Sequence, residues 1–253
     1  MKLLKKTLFY KLKMFGEISE YVFYALTNFR VSFDTIVIIV ESECNGKISD
    51  FENYGDFIIQ VNKHSNIIGD TDIPDVLSSI SRADIVCFID DSFFGPIYDF
   101  SELLNGFAGS SSDFMNFGFY PSEKYKKDIL FIKSSALNLI DFNNFFNEDY
   151  IDILSSKLLK NGLKQHFYCG QDDVSDKCLE VLFEKKFPLI RIHDLVYNSF
   201  DPRYIIDLIR QNSEYPVALI EQYVFAKYNP NLSSKLFSKT IFPIESSSIT
   251  AVP

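Results

Sequence analysis

Tryptophan is absent from this sequence, and histidine and methionine occur only three times each. The aromatic mass is carried by 26 phenylalanines and 14 tyrosines, so phenylalanine has to fill much of any core. No apolar run reaches the roughly 18 residues that a membrane-spanning helix needs. The amino terminus starts basic but lacks the continuous apolar stretch and small-residue cleavage site of a signal peptide, so a cytoplasmic protein is expected. Cysteines at positions 44, 87, 169 and 178 include no CxxC pair. They read as reduced thiols; a metal group of Cys169, Cys178 and His166 is the weaker alternative. There is no P-loop, no GxSxG elbow and no HExxH helix, which removes the nucleotide hydrolases, serine hydrolases and zinc proteases that those motifs mark. An excess of positive charge is also missing. The net charge is −9, the wrong sign for a general nucleic-acid binder, and no nucleic-acid partner is expected.

What is present suits a folded domain. Hydrophobic residues make up 47% and charged residues 23% of the 253 positions, enough for one large core or two small ones. No internal repeat or long linker interrupts the chain. Strand-like and helix-like patterns alternate, which argues for an α/β layer fold. Strands are expected at 34–41, Phe57–Val61, 84–89, 128–133 and 165–169. The runs at 34–41 and 84–89 are short and mostly apolar, the mark of strands buried on both faces. Helices are expected at 17–29, Ile73–Ser81, 99–107, 134–140, 144–160, 174–185, 202–212 and 217–227, with a loop at 109–113. Asn161-Gly162 is a helix stop. Residues 1–228 are expected to form one domain with a helical carboxyl-terminal part, and 229–253 a Ser- and Pro-containing tail.

In a mostly parallel sheet, ligands bind outside the carboxyl ends of the strands. The run Phe88-Ile89-Asp90-Asp91-Ser92 brings two consecutive carboxylates to such an end. Adjacent carboxylates repel unless a cation or a donor group neutralises them. A divalent ion, Mn²⁺ or Mg²⁺, suits hard oxygen ligands and can bridge a diphosphate, which makes Asp91 and Asp90 metal candidates. The plainer reading is that one aspartate caps the following turn while the other is solvated. Asp172 and Asp173 stand just ahead of the helix at 174–185. They can serve as a general base or simply cap that helix. Lys133 and Arg191 are further candidates for meeting a diphosphate, with solvated charge as the default. His64, His166 and His193 read as surface or core residues.

The stretch 61–92 resembles the segment of GT-A glycosyltransferases that joins an Asn- and Gly-containing loop, a helix, a strand and an acidic motif. Asn66, Gly69 and Asp70 match the loop and Asp90, Asp91 and Ser92 the motif. The order of motifs is similar to that of the rhamnan synthesis F family. It runs from Gly16-Glu17-Ile18-Ser19-Glu20-Tyr21-Val22 through Asp90-Asp91-Ser92-Phe93-Phe94-Gly95-Pro96 and Asp113-Phe114-Met115 to Tyr215-Pro216-Val217-Ala218-Leu219-Ile220. The resemblance implies a GT-A-like, mostly parallel sheet flanked by helices. It implies transfer of a sugar, in the family often rhamnose, from a nucleotide-diphosphate donor to a growing surface polysaccharide or lipid-linked saccharide. Glu41 and Glu43 would then lie near the donor's base or ribose, with Asn66, Asp70, Asp90 and Ser92 completing the donor contacts. Asp172 or Asp173 would be the base of an inverting transfer. A non-catalytic assembly subunit that keeps the fold is the rival reading. The chain departs from the family's pattern in three places. Tyr10-Lys11-Leu12-Lys13 is basic where the family has Tyr-Asp, Tyr125-Lys126-Lys127 replaces a His-x-Gln-Ser run, and Met115 replaces tryptophan.

Residues 1–15 hold five lysines and no acid. Wound as a helix, they would align Leu4, Leu8, Leu12 and Phe15 on one face, the pattern of a helix lying in a membrane interface, where a lipid-linked acceptor is confined. The alternative is that 7–12 is the first strand of the sheet.

Overall fold

The computed structural model describes residues 3–12, 20–41, 48–61, 73–96, 98–118, 127–137, 150–168, 188–191 and 211. The chain divides into two compact units, Met1–His193 and Asp194–Pro253, and the architecture below is that of the first. The domain limit expected at 228, the tail and the helices expected at 174–185, 202–212 and 217–227 lie outside the described residues, save Gln211.

The strands are β1 (Lys6–Leu12), β2 (Thr35–Glu41), β3 (Phe57–Val61), β4 (Ile85–Asp90), β5 (Phe93–Phe94), β6 (Phe114–Gly118), β7 (Lys127–Lys133), β8 (Gln165–Tyr168) and β9 (Ile190–Arg191). The α-helices are α1 (Glu20–Ser32), α2 (Ile73–Ser81), α3 (Phe100–Gly109), α4 (Ser134–Leu137) and α5 (Tyr150–Lys160), and Ile48–Phe51 forms a 3-10 turn. The main sheet has seven strands in the order β3-β2-β1-β4-β7-β6-β8. β3, β2, β1 and β4 are mutually parallel, β7 is antiparallel to β4 and β6, and β6 is parallel to β8. This is the mostly parallel sheet flanked by helices that the alternating pattern implied. β5 and β9 form a separate antiparallel pair.

β1 settles the question left open at the amino terminus. It is an inner strand hydrogen-bonded to β2 on one side and β4 on the other, with Leu8 in register with Ile36 and Cys87. Leu8 and Leu12 are buried in the protein core, so they are not the apolar stripe of a membrane-surface helix. Local pattern left both readings open because KTLFYKL contains two lysines, and the strand reading is the one the structure bears out. Sheet pairing on both edges outweighs that local polarity.

Each face of the sheet buries a different set. Phe9, Val37, Ile39, Ile59, Val86, Phe88, Leu130 and Ile132 form one cluster with Val76 and Ile80 of α2 and Tyr150, Leu154 and Leu158 of α5. On the other side an aromatic chain joins the sheet to α1 and α3. Tyr10 meets Phe29 at 5.7 Å between ring centroids, Phe29 meets Phe100 at 5.5 Å, and Phe100 meets Phe131 at 6.2 Å. The phenylalanine-rich core expected from composition is thus built as ring-on-ring contacts, each worth about 0.5–1.5 kcal/mol beyond its buried area.

Aspartates at the amino-terminal rim satisfy the first amides of neighbouring strands. Asp34 accepts from Lys6 N at 2.8 Å, Asp84 from Lys5 N at 2.9 Å, Asp56 from Ile36 N at 2.7 Å, and Asp113 from Lys164 N at 2.9 Å. Inside, Asn116 joins three elements. Its amide donates to Ser155 Oγ at 2.9 Å and its carbonyl oxygen accepts from Gln165 at 2.7 Å, which satisfies a fully buried polar group.

Asp99 caps α3, accepting from Ser101 N at 2.9 Å and from Ser32 Oγ at 3.1 Å. The Ser101 amide holds its carboxyl below the usual range, against a smaller opposing effect of burial. A depressed folded-state pKa adds stability above the unfolded value of about 3.9, and that stability disappears as pH falls through the folded value. Asp99→Ala should therefore cost roughly 1 kcal/mol at neutral pH, and urea unfolding of the two proteins should converge in acid. A second expectation concerns β1: deleting residues 1–12 removes an inner strand, so the truncated chain should lose cooperative unfolding in circular dichroism. A truncated form that melts like the full chain would contradict the sheet order.

Candidate active site at the strand ends

The strand order turns at β1 and β4. From β1 the chain proceeds outward to β2 and β3, while β4 lies on the other side of β1. A crevice opens outside the carboxyl ends of such a pair, because the connections leave in opposite directions. Asp90 is the last residue of β4, and Asp91 and Ser92 form the turn beyond it. The Asp91 amide donates to the Lys11 carbonyl at 3.0 Å, which ties this turn to the end of β1. Glu41 ends β2 at the same rim, in register with Val61 of β3.

The carboxylates are not solvated. Asp90 is 4% and Asp91 3% exposed. Asp90 Oδ1 accepts from Ser92 N at 3.0 Å and also from the Ser92 hydroxyl, so the turn is capped by Asp90 in the manner of an Asx turn. The plainer sequence reading is therefore right about the cap and wrong about the solvation. Phe93 and Phe94 then pair with Arg191 and Ile190. Gly95 turns the chain at φ 140°, a conformation that side-chain-bearing residues rarely adopt.

Two residues outside the expected site join it. Lys11 lies directly opposite Asp90 in the parallel register of β1 and β4 and is 1% exposed. Its ammonium sits 5.8 Å from the centre of the Tyr150 ring, at the start of α5. Tyr150 in turn packs edge-on against Phe88. Burial pushes the Tyr150 phenol well above its ordinary pKa, and the negative charge of Asp90 raises it further. The phenol therefore stays protonated at neutral pH. Lys11 could have been noticed as a lysine inside an apolar strand. Tyr150 could not, because its approach depends on how α5 crosses the sheet.

Other expected residues fall elsewhere. Lys133 pairs with Ile85 at the opposite rim, donates to the Ser110 carbonyl at 2.6 Å and lies over the Phe107 ring, so it does not belong to the site. Its distance from the crevice follows from β7 running antiparallel, which carries its carboxyl end to the start of β4. His166 is an exposed residue of β8. Cys87 is fully buried in β4, and burial pushes its thiol well above the ordinary range, as expected for an inert core thiol. Glu43, Asn66, Asp70, Asp172 and Asp173 lie outside the described residues, as do His64, His193, Cys44, Cys169 and Cys178.

The resemblance implies a divalent cation at Asp90 and Asp91. The described residues do not suit one. An oxygen of Asp90 is already taken by two donors of Ser92, and a lysine stands in register beside it. Among the described residues no three His, Cys, Asp or Glu side chains gather as a metal group. What the arrangement brings to one rim is two buried carboxylates with a buried lysine in register beside one of them.

No family model and no curated protein matches the chain. Among solved structures it is similar to a protein of Desulfovibrio desulfuricans described as a nucleotide-diphospho-sugar transferase. The identity is 12% and the TM-score 0.41, over 83% of this chain and 99% of that one. It is similar to 4-diphosphocytidyl-2C-methyl-D-erythritol synthase of Anaerococcus prevotii at 11% identity and TM-score 0.42, over 73% and 98% of the two chains. It is also similar to TarS of S. aureus in complex with UDP-GlcNAc, at 10% identity and TM-score 0.38 over 82% and 71%. Likenesses at this level do not define a family.

Asp90→Asn keeps an oxygen for the Ser92 turn and removes the charge. The alkaline transition at which Tyr150 loses its proton should then move to lower pH, read as phenolate absorbance against a Tyr150→Phe control. An unmoved transition would show that Asp90 does not act on the phenol.

Proposed function

We propose that the chain is a glycosyltransferase that binds a nucleotide-diphosphate sugar outside the carboxyl ends of β1 and β4 and passes the sugar to a saccharide acceptor. The observation that carries the reading is the buried Asp90–Asp91 pair at the point where a mostly parallel sheet reverses its strand order. Carboxylate oxygens at the carboxyl-terminal rim of such a sheet are acceptors suited to the hydroxyls of a ribose or sugar. In this reading Asp91 accepts hydrogen bonds from the donor's ribose or sugar, while Asp90 and Ser92 hold the turn that presents it. Glu41 and Glu43, with Asn66 and Asp70, complete the contacts to the nucleoside.

The chemistry asked of the protein is modest. Asp172 or Asp173 takes the proton of the acceptor hydroxyl as its oxygen attacks the anomeric carbon. The bond from that carbon to the diphosphate breaks, and the nucleoside diphosphate leaves with the bonding electrons. Inversion follows from attack opposite the leaving group. Rhamnose as the sugar, and a growing surface polysaccharide or lipid-linked saccharide as the acceptor, extend the proposal along the family resemblance. The described residues contain no helix long and apolar enough to cross a membrane.

Asp91→Asn tests the reading. Calorimetry against a panel of nucleotide-diphosphate sugars should show one donor binding the unaltered chain. The variant should lose at least about tenfold in affinity with an unchanged circular dichroism spectrum, as for other hydrogen bonds to charged groups. Equal affinity for that donor in both proteins would exclude Asp91 from the site.

A further inference from the structure

The charge at the strand ends is balanced from within the chain. Asp90 and Asp91 are consecutive and almost fully buried. Two such carboxylates in a low-dielectric crevice repel each other and call for a positive partner at close range. That partner need not come from solution. Lys11 is paired with Asp90 in the β1–β4 register, its own carbonyl accepts the Asp91 amide at 3.0 Å, and its side chain is as buried as theirs. Side chains of directly paired residues in parallel strands project from the same face of the sheet. The Tyr150 ring lies 5.8 Å from the ammonium, a separation at which the face of a π-system attracts a cation. Ser92 meanwhile takes up Asp90 Oδ1.

We propose that Lys11 is the resident cation of this site. It takes the position beside Asp90 and Asp91 that a divalent ion would otherwise fill, so that a nucleoside diphosphate binds here without metal. The inference rests on the nucleotide-sugar reading above and specifies how that site is balanced. Its logic is electrostatic exclusion. A divalent ion brought to Asp90 would meet the positive charge of the residue in register beside it, and like charges in a poorly screened environment repel strongly. The ammonium is covalently held and cannot be diluted away. Lys11 is thus a positioning residue: it holds the two carboxylates in place for hydroxyl groups of the ligand.

The experiment uses the full chain and a panel of UDP, GDP, CDP, dTDP and ADP, titrated by calorimetry in EDTA and again in MnCl₂. The unaltered protein should bind one of the panel with the same Kd in both buffers, and electron paramagnetic resonance should show that it takes up no Mn²⁺. Lys11→Met, close in volume to the lysine stem, should bind at least about tenfold more weakly in EDTA. It should also acquire Mn²⁺ uptake and recover nucleotide binding when Mn²⁺ is added. Lys11→Arg, which keeps the charge, should still bind in EDTA. A merely structural lysine would give none of this gain of metal dependence. Binding by the unaltered chain that vanishes in EDTA and returns with Mn²⁺ would overturn the proposal and leave the nucleotide-sugar reading standing. So would undiminished binding by Lys11→Met in EDTA. If no member of the panel binds in either buffer, both readings fall. Should Lys11→Met not fold, the comparison of buffers for the unaltered protein still decides.

Discussion

The position of β1 between β2 and β4 governs everything described here. It gives the sheet its interior, since Leu8, Phe9, Tyr10 and Leu12 are buried with strands on both sides. It also sets the switch point, because the strand order reverses where β1 meets β4. The register of that pairing then decides which side chains share the rim. Thr7 falls beside Val86 and Lys11 beside Asp90. A slip of one residue would put Lys11 on the opposite face from Asp90 and turn Phe9 away from Phe88, whose ring it stacks on at 5.2 Å.

The two rims of the sheet use the same residue type for different ends. At the amino-terminal rim, Asp34, Asp56, Asp84 and Asp113 each accept a backbone amide from a neighbouring strand. These carboxylates are consumed by the fold and sit at least partly in water. The pairing of Arg30 with Asp56 at 2.6 Å is of the exposed kind that contributes little. At the carboxyl-terminal rim, Asp90 and Asp91 are buried, and Asp90 Oδ1 holds the turn by accepting from the Ser92 amide and hydroxyl. An acidic chain therefore carries both structural and candidate ligand-binding aspartates. Burial at a strand end separates them, and composition does not.

The sequence by itself determined a good deal. Phe57–Val61 and Ile73–Ser81 coincide with β3 and α2, and the runs at 34–41 and 84–89 with β2 and β4 to within a residue. Those segments are legible because continuous β-branched runs and an amphipathic turn pattern are local properties. The site turn was equally legible: two aspartates and a serine after an apolar strand, before a Gly-Pro break. Three things needed the tertiary structure. β6 hides in FMNFG, whose short mixed pattern becomes a strand only between β7 and β8. The amino-terminal segment reads equally as a basic amphipathic helix until two strands compete for its edges. The pairing of Lys11 with Asp90 across 79 positions of chain, and the approach of Tyr150 from α5, follow from register and helix packing alone. Periodicity reports which residues one element buries. It carries no information about which charge on a distant strand will stand beside them, because that is set by the hydrogen-bond ladder between strands.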